Sequence, residues 1–224
     1  MARNGTTCLQ TTASWPDLSP EIETALLRGC DELGLVLTDI QVQQLLAYLE
    51  LLARWNKTYN LTAVREPAHM VSRHLLDSLA VAPHVLGRRL IDVGTGAGLP
   101  GVPLAVLYPE REFHLLDSNG KKTRFLFQVK TDLRLANMVV HQARAESFTA
   151  AQPFDAVLSR AFASLADMVL FTRHLLAPNG RMLAMKGAYP EAELEAVRGD
   201  FDTVHVHPLS IPGLDEQRHL VELL

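Results

Sequence analysis

The feature that most constrains this chain is the glycine-rich turn Asp92-Val93-Gly94-Thr95-Gly96-Ala97-Gly98, which continues directly from the short apolar run at 90–93. Such a run ending in alternating glycines reads as a buried parallel strand passing into a helix. Open α/β sheets bind ligands at that point, outside the carboxyl ends of their strands. Gly94, Gly96 and Gly98 let the backbone turn tightly and come close to a ligand, while the amides opening the next helix offer donors. A plain strand-to-helix turn needs fewer glycines. The expectation is therefore a nucleotide-type ligand on a parallel sheet.

The texture downstream agrees. Apolar runs at 90–93, 112–116, 138–141, 155–159 and 181–186 alternate with helical stretches near 101–107, 121–135 and 166–176, the pattern of crossover-connected parallel strands. The runs at 203–209 and 218–224 are joined through Pro212-Gly213, too short a link for a crossover helix, so the last strand should be antiparallel. Upstream the chain reads as helical. Thr38 and Gln41 form a capping box, and Val42, Leu45, Leu46, Leu49 and Leu52 make one buried stripe on a helix expected to end near Trp55. A shorter helix is expected over 21–33. Another should open at Pro67 and close before Pro83, with Val71, Leu75, Leu79 and Ala82 facing inward. Residues 1–20 read as a disordered tail, 21–87 as a helical region packed on the core, and 88–224 as the ligand-binding domain.

Which nucleotide binds is not decided by the glycines alone. Gly96, Gly98 and Gly101 also satisfy G-x-G-x-x-G, and Asp117 falls where a dinucleotide site places its ribose-binding acid, so a nicotinamide-dependent oxidoreductase stays open on the pattern. Pro100 removes a donor where a pyrophosphate needs one, and Asp92 sets an anion beside the loop. S-adenosylmethionine carries an ammonium and a sulfonium that an anion attracts, and ribose hydroxyls that Asp117 can accept.

Five runs then resemble one family. Trp55-Asn56-Lys57-Thr58-Tyr59-Asn60-Leu61-Thr62, Arg73-His74-Leu75-Leu76-Asp77-Ser78, the stretch 93–101, Leu115-Leu116-Asp117-Ser118 and Ser159-Arg160-Ala161-Phe162-Ala163-Ser164-Leu165 are similar to the RsmG (GidB) family. The likeness runs from about residue 35 to the end. It implies a Rossmann-like class I methyltransferase sheet with an N-terminal helical extension. It also implies transfer of a methyl group from S-adenosylmethionine to N7 of a guanine in 16S ribosomal RNA, by family likeness the 530-loop guanine, position 527 in reference rRNA numbering. By the same resemblance the cofactor positions carry over to Gly94 and Leu99, to Ala145 and Glu146 after the third strand, and to Arg160 after the fourth. A cofactor-binding RNA module without catalysis is the remaining alternative.

Guanine N7 already presents a lone pair, so the reaction asks for alignment and not for a base. No catalytic group stands out. Arg160, Lys186 and His74 are positioning candidates, with Arg160 suited to a carboxylate or phosphate and His74 three residues from Asp77 on one helix face. The net charge of −4 conceals a basic middle: residues 54–130 hold 11 basic and 6 acidic side chains. Arg54, Lys57, Arg65, Arg73, Lys121, Lys122 and Arg124 are thus the candidate RNA-phosphate surface, with Trp55 and Tyr59 as weaker stacking candidates. His205 and His207 share a strand face with His219 opposite, yet no carboxylate or thiolate stands beside them in sequence, so no metal is expected. Cys8 and Cys30 have no pairing pattern, no apolar run is long enough to span a bilayer, and the N-terminus lacks a secretory core. A cytoplasmic enzyme with 16S rRNA or the small ribosomal subunit as partner follows, with no membrane contact and no protein partner inferred.

Overall fold

The computed structural model describes residues 19–160, 162 and 164–224. The tail expected over 1–20, Cys8 included, lies outside them except for Ser19 and Pro20, and Pro20 already opens the first helix. Seven strands build one sheet in the order β3-β2-β1-β4-β5-β7-β6. They are β1 (Arg89–Val93), β2 (Glu112–Asp117), β3 (Met138–Gln142), β4 (Phe154–Ser159), β5 (Leu176–Lys186), β6 (Val204–Ile211) and β7 (Leu214–Leu223). Strands β1 to β5 pair in parallel, and β7 runs antiparallel between β5 and β6. Gly213, at φ 73°, makes the reversal that Pro212-Gly213 led us to expect.

Both faces of the sheet are covered, because successive strand residues point to opposite sides. Leu90, Phe113, Leu115, Ala156, Leu158 and Leu183 join a core with α1 (Pro20–Glu32), α2 (Asp39–Tyr59), α5 (Gly101–Leu107) and α6 (Gly120–Asp132). Ile91, Val93, Leu116, Val157 and Ala184 join the other, with α7 (Leu165–Thr172) and α8 (Glu191–Val197). The N-terminal helices thus share one core with the sheet. No helix among the described residues is long and apolar enough to cross a membrane.

Helix α2 starts in the expected capping box at Thr38 but runs past Trp55 to Tyr59, where Asn60 closes it in the left-handed region at φ 50°. The extra turn is held by the Trp55 ring, 5.1 Å from Tyr59 and 5.5 Å from Phe125 of α6. Asn56 then ties down the following loop, accepting from the Thr62 amide at 2.9 Å and donating to the Val64 carbonyl at 3.2 Å. The helix expected after Pro67 is broken into α3 (Pro67–Met70), a π-helical turn (Val71–Leu76) and α4 (Asp77–Leu79). Its four apolar positions are buried as expected.

Candidate active site

Strand order reverses between β1 and β4, which opens a crevice at their carboxyl ends. The loop after β1 is held from three sides. Gly94 and Thr95 amides donate to the Leu116 carbonyl at 2.9 and 3.2 Å, the Gly96 amide donates to Asp117 Oδ2 at 2.9 Å, and buried Tyr48 of α2 donates to the Ala97 carbonyl at 2.8 Å. Gly94, Gly96 and Gly98 have φ of 67°, 62° and 94°. Only glycine adopts such values without strain.

Two residues expected to face the cofactor build the loop instead. Asp92 is 1% exposed, and its Oδ2 accepts from Thr95 Oγ1 at 2.6 Å and from the Gly101 amide at 2.8 Å. It lines none of the cavities at this edge, and burial pushes its carboxyl up to about 7 despite the two donors. The carboxyl beside the loop is therefore a brace that holds the turn from behind. Gly98 is a packing position. A methyl group there would meet Val102 Cγ2 at 2.5 Å and Leu126 Cδ2 at 2.8 Å.

Three cavities follow one another along the crevice. The first, about 280 Å³, is lined by Gly94, Asp117, Lys122, Ala145, Glu146 and Phe162. The second, about 180 Å³, is lined by Leu61, Thr62, Gly94, Gly96, Leu99 and Arg160. The third, about 370 Å³, is lined by Arg73, His74, Asp77, Arg160, Lys186 and Arg218 among others. Gly94 belongs to the first two and Arg160 to the last two, so the three are contiguous. A larger cavity of about 550 Å³ lies against α1, the π-helical turn and the Pro212-Gly213 turn, and holds none of the candidate residues. Chemistry, not volume, marks the site.

The third cavity is framed by alternating charges. Asp77, 2% exposed, accepts from Arg160 Nη1 at 3.0 Å and from Arg218 Nε at 3.1 Å. Glu216 accepts from Arg218 Nη2 at 2.9 Å and from Arg73 Nη1 at 3.2 Å. His74 bonds through Nδ1 to the Arg73 carbonyl at 2.9 Å and through Nε2 to Thr62 Oγ1 at 2.8 Å. A carbonyl only accepts, so Nδ1 carries the proton and Nε2 receives the Thr62 hydroxyl. Burial lowers the pKa of this imidazole, which leaves it neutral at pH 7.

A family model described as rRNA small subunit methyltransferase G (GidB) matches residues 41–221. The chain is 54% identical over 206 residues to the ribosomal RNA small subunit methyltransferase G of Pseudomonas syringae pv. syringae, covering 92% of this chain and 96% of that protein. It is 57% identical over 199 residues to the protein of that name from Pseudomonas paraeruginosa, covering 88% and 93%. The chain belongs to the GidB family. Solved structures add the fold. The S-adenosylmethionine-dependent methyltransferase SibL superposes with a TM-score of 0.56 at 15% identity, over 91% of this chain and 73% of that one. A SAM-dependent methyltransferase from Aquifex aeolicus gives 0.53 at 16%, over 71% and 94%. The Rossmann-like methyltransferase sheet expected from the sequence is thus the observed one, and membership of GidB displaces the nicotinamide reading.

In this GidB chain the expected site residues divide. Gly94, Gly96, Leu99, Asp117, Ala145, Glu146 and Arg160 meet around the first two cavities, whereas Asp92 and Gly98 lie behind them. Among the RNA candidates, Lys122 turns into the first cavity, 3.5 Å from Asp117, and Arg73 into the third. Arg54, Lys57, Arg65, Lys121 and Arg124 remain exposed on α2, on the loop after it and on α6. Trp55 packs inward and is no platform, while Tyr59 is 37% exposed. Lys186 is held by Glu193 at 2.7 Å. His74 and Asp77 do not pair with each other. Thr62, Glu216 and Arg218 were not singled out from sequence. Thr62 lies in a quoted family run, but nothing local marks the other two.

Proposed function

We propose that this chain transfers a methyl group from S-adenosylmethionine to N7 of a guanine in 16S ribosomal RNA, at the 530-loop guanine, in the cytoplasm. The observation that supports it most is the sequence of three cavities joined by Gly94 and Arg160. The residues present fit the cofactor. Asp117 offers a nearly buried carboxylate at the end of β2 for ribose hydroxyls, and the two residues Ala145 and Glu146 bring a polar turn opposite it. Gly96 leaves open space: a Cβ built there has its nearest neighbours at 3.9 Å. S-adenosylmethionine supplies an electrophilic methyl group on a sulfonium.

The chain's own part is alignment. Arg160 stands between the second and third cavities with its charge matched by Asp77, so it can hold an anionic group without making the crevice strongly positive. The third cavity, rimmed by Arg73, Arg218 and Lys186, suits a base whose flanking phosphates are contacted by arginines. Neutral His74 accepts from the Thr62 hydroxyl and so fixes Thr62 at the border between cavities. N7 needs no deprotonation, so a base-free reaction driven by orientation is consistent with this arrangement.

The test is single-turnover methyl transfer from labelled S-adenosylmethionine to undermethylated small subunits and to naked 16S rRNA. A 7-deazaguanine substitution at the target is the control. Transfer abolished by 7-deazaguanine, at a rate flat in pH from 6 to 9 for the normal substrate, is the expected result. Transfer to the analogue would refute N7 as acceptor, and a rate following one ionisation that His74→Gln removes would refute the base-free route. Cofactor binding with no transfer to any RNA would favour a non-catalytic module.

A further inference from the structure

At the β6–β7 edge of the sheet, three potential ligands converge that sequence reading had left apart. His207 on β6 and Glu222 on β7 lie on one sheet face, because Glu222 pairs in register with His205, and His207 is two residues along. His207 Nε2 is 3.0 Å from Glu222 Oε2. His84, closing the 3₁₀ turn Ala82–His84 that leads toward β1, brings its ring to 4.0 Å from that of His207. One ligand atom from each of the three falls within 4.8 Å of the others. We propose that His84, His207 and Glu222 form a binding site for one divalent transition-metal ion, with Zn²⁺ as its best-suited occupant.

Three observations carry this beyond an ordinary surface ion pair. The donor set, two imidazoles and one carboxylate, is one that zinc and its neighbours take, with a remaining position for water. The separation between His207 and Glu222 fits two ligands on a single ion, since metal–ligand bonds of about 2.1 Å at angles between 90° and 109° put donor atoms roughly 3.0–3.4 Å apart. Glu222 also has the supporting contact that ligating carboxylates need: its Oε1 accepts from Arg181, leaving Oε2 for the metal. The hydrogen-bonded set Arg181–Glu222–His207 explains two of the three residues without a metal. It does not explain His84, whose ring makes no hydrogen bond among the described residues and lies tilted against the His207 imidazole.

Glu222 pairs with Leu183 of β5 and with His205 of β6, so the cluster lies on the β6–β7 edge, with β7 three strands along the sheet from β1 and its glycine loop. A metal there would latch the turn that ends the helical region to the C-terminal hairpin. Its role would be structural.

The experiment uses the untagged full-length protein, stripped with chelator and then freed of it. Titration with Zn²⁺ by calorimetry should show one equivalent bound at micromolar affinity or tighter, and Co²⁺ should give the visible ligand-field bands of a low-symmetry site. At metal a hundredfold above Kd, Tm should rise by about 5–10 °C. His84→Gln, at a partly exposed position, should keep the metal-free Tm, weaken binding at least tenfold and lose the metal-dependent rise. His207→Gln should do the same. Absence of stoichiometric uptake, or wild-type affinity in both variants, would overturn the site.

Discussion

Glycines in the loop after β1 serve two separate purposes, and alanine substitution should separate them. At Gly98, φ is 94° and the new methyl group would sit 2.5 Å from Val102 Cγ2 and 2.8 Å from Leu126 Cδ2. A non-glycine residue at such a φ costs about 1–2 kcal/mol, and forcing a methyl group into a packed core roughly 1–3 kcal/mol more. Reduced entropy of the unfolded chain returns about 0.4–1 kcal/mol. Gly98→Ala should therefore destabilise the fold by about 2–4 kcal/mol. Gly96 also has positive φ, 62°, but its Cβ would meet nothing closer than 3.9 Å, so the strain and the entropy gain nearly cancel and stability should change by less than about 1 kcal/mol. Its methyl group would nevertheless project from the loop toward Lys122, into the crevice where the first two cavities meet. We expect near-normal urea unfolding for Gly96→Ala with S-adenosylmethionine affinity lowered tenfold or more, and a lowered midpoint for Gly98→Ala. Equal destabilisation by both, or normal cofactor affinity in a folded Gly96→Ala, would refute the division.

The buried Asp92 carboxyl, raised to about 7 from an ordinary value of 3.8, stays protonated in the fold where it ionises in the unfolded chain. Its contribution to stability is thus full below about pH 4 and is lost as pH rises through 7. Relative to Asp92→Asn, wild type should lose up to about 4 kcal/mol between pH 4 and pH 8, from roughly three pK units at 1.36 kcal/mol each. Urea unfolding at the two pH values reads it, and a pH-independent difference would reverse the assignment of a protonated brace. Asp117→Asn removes the charge that faces Lys122 and accepts from the Gly96 amide, so calorimetry should show weaker S-adenosylmethionine binding; unchanged affinity would move the ribose elsewhere. Replacing exposed Lys121 and Arg124 by Gln should lower RNA affinity and flatten its salt dependence by about 1.5 in log–log slope, while cofactor binding is spared. An unaltered slope would place the RNA on another face.

What could be read from the sequence follows from how local the cause is. Strands, crossover helices and the final hairpin were visible because burial on both faces writes itself into short apolar runs, and a two-residue link admits only an antiparallel return. The Thr38 capping box was visible because all its partners lie within four residues. The end of α2 was misjudged by one turn because it is decided across the fold, by Phe125 under Trp55 and by Asn60 in the left-handed region. Asp92 reads as a ligand anion because its sequence position is right, and only its burial and its bonds to Thr95 and the Gly101 amide show that the carboxyl braces the loop.

The clearest limit is at Asp77. Three residues after His74, it should share a helix face with that histidine at 3.6 residues per turn. The π-helical turn Val71–Leu76 widens the turn, so residues three apart no longer stack one above the other. His74 is released toward Thr62, and Asp77 toward Arg160 after β4 and Arg218 on β7. One carboxylate thereby fixes arginines 83 and 141 residues away, on elements that only the sheet order brings together. No spacing rule contains that information. The wide turn at the mouth of the third cavity gives the site its charge arrangement, so the most local irregularity of the backbone governs its least local contact.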